Sequence, residues 1–188
     1  SQINKYGGKG VGLSGNDANI ILARKKLPTE IFDVNGNCEK TVDYGYVADV
    51  EKVDPTILKY LSESGFIPVI SPIGVSFDGE SYNINADEAA GEIAQALKAD
   101  KLIMLTDVDG IYEVAGNPAT KIDSITIDKA REMIAKNQIK GGMIPKVKSC
   151  IEAVLNGVKR THIIDGRDKH SLLLEIFTDK GIGTMVIS

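Results

Sequence analysis

There is no surplus of positive charge in this sequence. Its 22 Lys and Arg stand against 26 Asp and Glu, for a net charge of −4, and the basic residues are spread along the chain. Nucleic acid and anionic membrane surfaces are read by clustered cations, so neither is an expected partner. Apolar runs of the roughly 20 residues that span a bilayer are absent, and no signal-peptide core follows Gln2-Ile3-Asn4-Lys5. A soluble, cytoplasmic protein is therefore expected. Cysteine is scarce: Cys38 and Cys150 are far apart and form no CxxC pair, which leaves a disulfide or two buried thiols, and a chain with so large a potential core favours thiols. Histidine is as scarce. His162 and His170 have no further ligands at metal spacing, so a zinc site is not expected and the two should be satisfied surface or interface side chains.

What is present is ordinary for one globular domain or two small lobes sharing a sheet: 188 residues, 43% hydrophobic, 26% charged, with no internal repeat or low-complexity linker. Val11 to Leu13 reads as a short strand, and Tyr44 to Val50 alternates as a strand or hairpin arm does. Asp54 before Pro55 predicts a helix start; Ile57, Leu58 and Leu61 share a face, and Gly65 suits the helix end. Phe66 to Ile70 is expected as a buried strand, Asp87 to Leu97 as a helix and Lys101 to Thr106 as a buried strand, an order that implies a parallel crossover. Helices are then expected over Asp128 to Ala135, around Ile144 to Leu155, and over Lys169 to Phe177 with Leu172, Leu173 and Ile176 inward; strands are expected at Thr161 to Ile164 and Thr184 to Ile187. The alternation means an α/β fold with helices on both sheet faces, and a lobe boundary in or near the Asp87 to Leu97 helix.

Several segments carry chemistry. Gly10-Val-Gly12-Leu-Ser-Gly15 matches GxGxxG but lacks the preceding strand and following apolar helix of a dinucleotide site, so a structural glycine turn is the better reading. Asp107-Val-Asp109-Gly110 resembles a calcium loop only until the position of its closing glutamate, which is Pro118. Thr106 to Gly110 lies where open α/β sheets place ligands, at a strand's C-terminal end. Its hydroxyl, carboxylate and glycine suit nucleotide contacts, and equally a plain turn capped by Asp107. Gly141-Gly142-Met143-Ile144-Pro145-Lys146 puts two glycines before a helix, which offers free N–H groups to an anion. Lys146, ill-placed against the helix dipole, would be compensated by phosphate. At Tyr82 to Asp87, Asn83 and Asn85 share a face of an extended segment and suit a small polar substrate, with Asp87 at the helix start, where simple capping is the alternative.

GLSGND at Gly12 to Asp17, YNINAD at Tyr82 to Asp87, KLIMLTDVDGI at Lys101 to Ile111, GGMIPKV at Gly141 to Val147 and HIIDGR at His162 to Arg167, in this order, resemble the N-acetylglutamate kinases of the amino acid kinase superfamily over essentially the whole chain. The resemblance implies an open αβα sandwich with a mainly parallel central sheet. Residues 1–90 would be the remainder of an amino-acid-binding lobe and residues 91–188 an ATP-binding lobe. It implies transfer of a phosphoryl group from ATP with Mg2+ to the γ-carboxylate of N-acetyl-L-glutamate, in arginine biosynthesis. By position Asn83 resembles the substrate-binding asparagine, Asp87 the aspartate that organises catalytic lysines, and Lys146 the lysine that stabilises the transition state. Thr106, Asp107, Val108, Gly110, Tyr112, Gly142 and Met143 resemble nucleotide contacts. His162 to Arg167 and Leu174 to Thr184 resemble the arginine-sensitive members, which implies arginine as feedback inhibitor at Glu175 and Gly181 and a homodimer or hexamer. The family's first glycine-rich loop, with another catalytic lysine, and its substrate-holding arginine have no counterpart. Tyr6-Gly7-Gly8-Lys9 is followed by the wrong context, so the chain is expected to be an N-terminally truncated enzyme that is inactive alone. Another superfamily kinase, or a non-catalytic nucleotide- or arginine-binding module, is the alternative.

Overall fold

The computed structural model describes residues 2–32, 38–114, 117–178 and 181–188. The chain divides after Ala89 into two compact units.

The N-terminal unit opens with a helical turn, α1 (Gln2–Lys5), and a strand, β1 (Gly10–Ser14). It continues through β2 (Ile21–Lys25), β3 (Thr29–Phe32), β4 (Cys38–Val42), β5 (Ala48–Val53), α2 (Thr56–Glu63), β6 (Ile67–Ser71), β7 (Ile73–Val75) and β8 (Ser81–Asn83). β1 pairs in parallel with β6, β3 with β4 as a hairpin, and the remaining strands form a sheet in the order β5-β2-β7-β8. Helix α2 starts as its sequence suggests, with one shift: Pro55 is the capping position and Asp54 Oδ1 accepts from Thr56 N at 2.9 Å. It ends in a left-handed Gly65 (φ +78°), with Phe66 N returning to Leu61 O and Gly65 N to Ser62 O, a six-to-one and five-to-two closure that glycine makes without steric cost.

The C-terminal unit contains most of α3 (Ala86–Leu97), then β9 (Lys101–Thr106), a ribbon of β10 (Ile111–Tyr112) and β11 (Lys121–Ile122), β12 (Ser124–Thr126), α4 (Ile127–Ala135), α5 (Met143–Leu155), β13 (Arg160–Asp165), α6 (Ser171–Phe177) and β14 (Thr184–Ile187). Its sheet order is β12-β14-β13-β9; β9 with β13 and β12 with β14 are parallel, β13 with β14 antiparallel, so the sheet is mixed. Five successive residues of β13, Thr161 to Asp165, are buried. Both faces of the strand are covered: Ile163 packs in the core with Val147, Cys150, Met133 and Val186, while His162, on the other face, meets Glu175 of α6. The α/β class with helices on both sheet faces stands.

Several local expectations need correction. β6 is only half covered, with Ile67 and Val69 about half exposed, and β9 buries Leu102 and Met104 but leaves Leu105 55% exposed, so neither strand is buried on both faces. β6 and β9 are not neighbours in any described sheet, because the hairpin of β7 and β8 intervenes and β9 pairs with β13. α6 turns Ser171 and Glu175 inward and leaves Leu172, Leu173 and Ile176 40–52% exposed, because the face of β13 beneath it presents a histidine that only a polar partner satisfies. His162 is thus buried rather than superficial, and of the two free cysteines Cys150 is buried and Cys38 exposed.

Candidate functional site

The apolar run KLIMLT ends at Thr106, and Thr106 of β9 stands in register with Asp165 of β13, so two adjacent parallel strands end together. Gly166 N donates to Thr106 O at 2.8 Å, which holds the loops after the two strands against each other. A cavity of about 400 Å³ opens at that edge. The loop Asp107 to Gly110 and the start of the ribbon, Ile111 and Tyr112, form one wall; Ile139, Lys140 and Met143, at the entry to α5, form the other. Gly110 sits at φ +149°, and a Cβ there would stand 2.6 Å from Thr184 Oγ1, so no side chain fits where the loop turns into the pocket. Val108, Ile111, Ile139, Met143 and Pro118 make the walls mostly apolar, with Asp107, Asp109, Tyr112, Gln138, Lys140 and Arg167 supplying the polar groups. An apolar slot with a few convergent polar groups, at the carboxyl ends of parallel strands, is what a flat heterocycle bearing a polar appendage requires.

Two of these polar groups are fixed by their neighbours. The Tyr112 hydroxyl donates to Asp109, and this bond, with burial and the carboxylate charge, pushes the phenol up to about 12. Arg167 Nε and Nη2 grip Asp165 in a fork, with Nη2 to Oδ2 at 2.7 Å, and the bond holds the Asp165 carboxyl below the usual carboxylate range. Arg167, although within the HIIDGR segment, was not expected at this pocket, and neither were Gln138, Ile139 and Lys140. The first belongs to a strand end distant in sequence, and the others precede the glycines with no motif of their own.

Of the residues expected to touch nucleotide, Asp107, Val108, Gly110, Tyr112 and Met143 line this cavity. Thr106 supports it from behind, its hydroxyl donating to Asp107 Oδ1 at 3.2 Å, and Gly142 is the exposed N-cap of α5. The helix start is less open than the sequence suggests, because Met143 N and Ile144 N turn back to Lys140 O and Gly141 O at 3.2 Å each. Lys146 is the fourth residue of α5, half-buried one turn from its start.

Asn83 and Asp87 belong to the N-terminal unit. Asn83 closes β8 opposite Ile73 with its side chain exposed, while Tyr82 and Ile84 on either side point inward. The capping role falls to Asn85, whose Oδ1 accepts from Asp87 N at 3.0 Å and Glu88 N at 3.2 Å; Asp87 is the helix's second residue and half-buried. Both asparagines are exposed, and the Asn85 carbonyl is spent on the helix backbone.

A second, strongly polar cavity of about 250 Å³ lies at the opposite end of the same strand pair, where Lys101 and Arg160 begin β9 and β13 in register. Asp123, His162 and Glu175 complete its polar lining, with Gly181 and Gly183 beside them. The Glu175 carboxylate is partnered by His162 Nδ1 through Oε1, and by Ile182 N (2.8 Å) and Gly183 N (3.3 Å) through Oε2. Burial acts to raise this carboxyl, but the two N–H donors and the histidine outweigh it and the group is held below its usual range. On His162 the balance is the reverse: burial outweighs the pull of Glu175 and lowers the imidazole, so a neutral ring donates from Nδ1 to the carboxylate. Its Nε2 is buried without a hydrogen-bond partner. Glu175 is thus already engaged on both oxygens rather than open to a bidentate guanidinium. The intervening residues 179 and 180 of the arginine-sensitive pattern lie outside the described residues.

Among the described residues no helix is long and apolar enough to cross a membrane. The sequence model of the amino acid kinase family matches residues 1–165. An acetylglutamate kinase of Heliobacterium modesticaldum is 54% identical over 185 residues, 98% of this chain and 62% of that protein, and one of Methanothermobacter thermautotrophicus is 48% identical over 99% of the chain and 64% of its own length. The chain thus spans less than two thirds of these relatives. Among solved structures, the N-acetylglutamate synthase of Neisseria gonorrhoeae in complex with coenzyme A and L-arginine shares 27% identity at a TM-score of 0.74, over 96% of this chain and 38% of that one. A carbamate kinase of Giardia shares the fold at 18% identity and a TM-score of 0.67, over 100% of this chain and 65% of that one. With most of its length matched by the family model and its fold shared with these structures, this chain belongs to the amino acid kinase family.

Proposed function

We propose that the complete protein transfers the γ-phosphoryl group of ATP, delivered with Mg2+, to the γ-carboxylate of N-acetyl-L-glutamate, and that this chain supplies the ATP site and part of the acceptor site. The observation that carries the reading is the coincidence of near-complete, 54%-identical alignment to an acetylglutamate kinase with an apolar pocket at the ends of β9 and β13. The chemistry asks for little beyond positioning. A carboxylate oxygen attacks Pγ, the bond from Pγ to the bridging oxygen breaks, and ADP leaves with that electron pair; no proton must be removed from the nucleophile. Two anions must be brought together and the charge on the moving phosphoryl neutralised, which suits Lys146 as the cation and Asp87 as a carboxylate that fixes lysine geometry. A cytoplasmic setting and ATP binding by residues 91–188 belong to the same proposal, with residues 1–90 contributing to the acceptor side.

Asn83, outward-facing at a strand end, is assigned to the acceptor. In the complete protein, with acyl phosphate trapped by hydroxylamine, Asn83→Ala should raise KM for N-acetylglutamate about tenfold and leave KM for ATP unchanged. Equal losses for both substrates would mean that the change had merely disturbed β8. Absence of acetylglutamate-dependent acyl phosphate in the wild type would end the kinase reading and favour a non-catalytic module.

Arginine as effector is the second reading, favoured by the charged pocket, where Lys101 and Arg160 would meet the carboxylate of a zwitterion and Asp123 a cationic group. Calorimetry should show arginine binding to the wild type and binding weakened about tenfold in Glu175→Gln, since loss of the carboxylate charge weakens its clamp on Ile182 and Gly183 beside the pocket and removes a negative charge from its lining. Equal affinities would remove Glu175 from the site, and no binding to the wild type would end the regulatory reading.

A further inference from the structure

The nucleotide and charged pockets lie at opposite ends of the β9–β13 pair, yet one short segment, Gly181 to Thr184, lines the charged pocket through Gly181 and Gly183 and is hydrogen-bonded through Thr184 to Ile111 in the wall of the nucleotide pocket. From the charged side, Glu175 Oε2 holds the N–H groups of Ile182 and Gly183. From the other side, Lys121 Nζ donates to Ile182 O at 2.7 Å. The Thr184 hydroxyl, fully buried, accepts from Ile111 N at 2.8 Å and donates to Ile122 O at 2.6 Å, tying together residues 73 and 62 positions away in sequence. Ile111 and Ile122 face each other across the β10–β11 ribbon, and Ile111 forms part of the nucleotide pocket wall. The segment has no slack: a Cβ on Gly110 would collide with Thr184 Oγ1, and one on Gly183 with the Ile163 carbonyl.

We infer that Thr184 is a positioning residue of the nucleotide pocket, and that Gly181 to Thr184 is the joint through which the charged pocket and the nucleotide pocket influence each other. This inference rests on reading the cavity at the strand ends as the nucleotide site. Any ligand that draws on the Glu175 carboxylate loosens its hold on Ile182 and Gly183. One residue further on, the displacement reaches Thr184, and with it the Ile111 N–H and the pocket wall. Because packed interiors shift between discrete arrangements rather than flex continuously, a small movement at the turn changes the wall, and linkage requires the effect to run equally in the opposite direction.

Three variants of the 188-residue chain test the joint. Thr184→Val removes the hydroxyl at nearly constant shape, Thr184→Ser keeps it, and Glu175→Gln loosens the segment from the far end. Amide hydrogen exchange at Ile111 is the first readout and calorimetric affinity for ATP with Mg2+ the second. Thr184→Val should speed Ile111 exchange and weaken nucleotide binding about fivefold each, the value of one hydrogen bond. Thr184→Ser should restore both, and Glu175→Gln should move both in the same direction by a smaller factor although it touches only the other pocket. Unchanged Ile111 exchange in Thr184→Val, equal change in Thr184→Ser, or a Glu175→Gln protein that leaves Ile111 exchange untouched would overturn the inference. If the wild type binds no nucleotide, the reading of the pocket fails while exchange at Ile111 still decides the joint; should Thr184→Val not fold, the Glu175→Gln comparison decides it.

Discussion

Replacing Lys146 by alanine in the complete protein is expected to lower kcat about a hundredfold or more, with a much smaller change in ATP affinity. A cation aimed at charge that develops on the transferred phosphoryl is worth about 2.7 kcal/mol or more, and it acts in the transition state rather than on the bound nucleotide. The position supports this use. Lys146 is one turn into α5, close to the end where the helix dipole disfavours a positive charge, and it is half-buried rather than extended into water. Lys146 is also absent from the walls of the cavity at the strand ends, which is consistent with a role beyond holding the nucleotide. Steady-state kinetics with varied ATP and varied N-acetylglutamate separates the possibilities. An unchanged kcat would remove Lys146 from the chemistry; a raised KM for ATP at constant kcat would make it a binding group only.

The parts of the fold that could be read from the sequence are those where one local rule dominates. KLIMLT is too continuous in its apolar residues for a loop, and β9 begins and ends where the run does, although only Leu102 and Met104 are buried and Leu105 is left exposed. The Gly65 turn and the helices α3, α4 and α5 announced themselves by caps and spacing in the same way. Other parts depend on partners remote in sequence. No element is expected from the sequence between Leu13 and Tyr44, yet that stretch holds β2, which is central in its sheet, and the β3–β4 hairpin. Helix α6 read as amphipathic with leucines inward, and the sheet beneath it reversed that by presenting His162 to Glu175. The strand-end loop of the candidate site was legible because its location follows from topology. Thr184 and Arg167 were not, since a threonine in a final strand and an arginine after a strand acquire their roles only from what the fold sets against them.

The reading stands or falls on whether the pocket at the ends of β9 and β13 takes a nucleotide. Its apolar walls, the side-chain-free Gly110 and the fixed Arg167 all belong to the C-terminal unit, which is why the 188-residue chain is the protein to test. A ligand that binds only the folded state at about a hundred times its dissociation constant adds about 2.7 kcal/mol, which for a unit of this size raises the unfolding midpoint by on the order of 10 °C. The decisive measurement is a calorimetric titration of the 188-residue chain with ATP and Mg2+, accompanied by thermal unfolding at the same nucleotide concentrations and an assay for acyl phosphate. Saturable one-to-one binding, a midpoint that climbs with nucleotide and no turnover of N-acetylglutamate are the predicted results. No heat and no shift at millimolar ATP would contradict the nucleotide assignment, and turnover by this chain alone would contradict the expectation that it is only part of the enzyme.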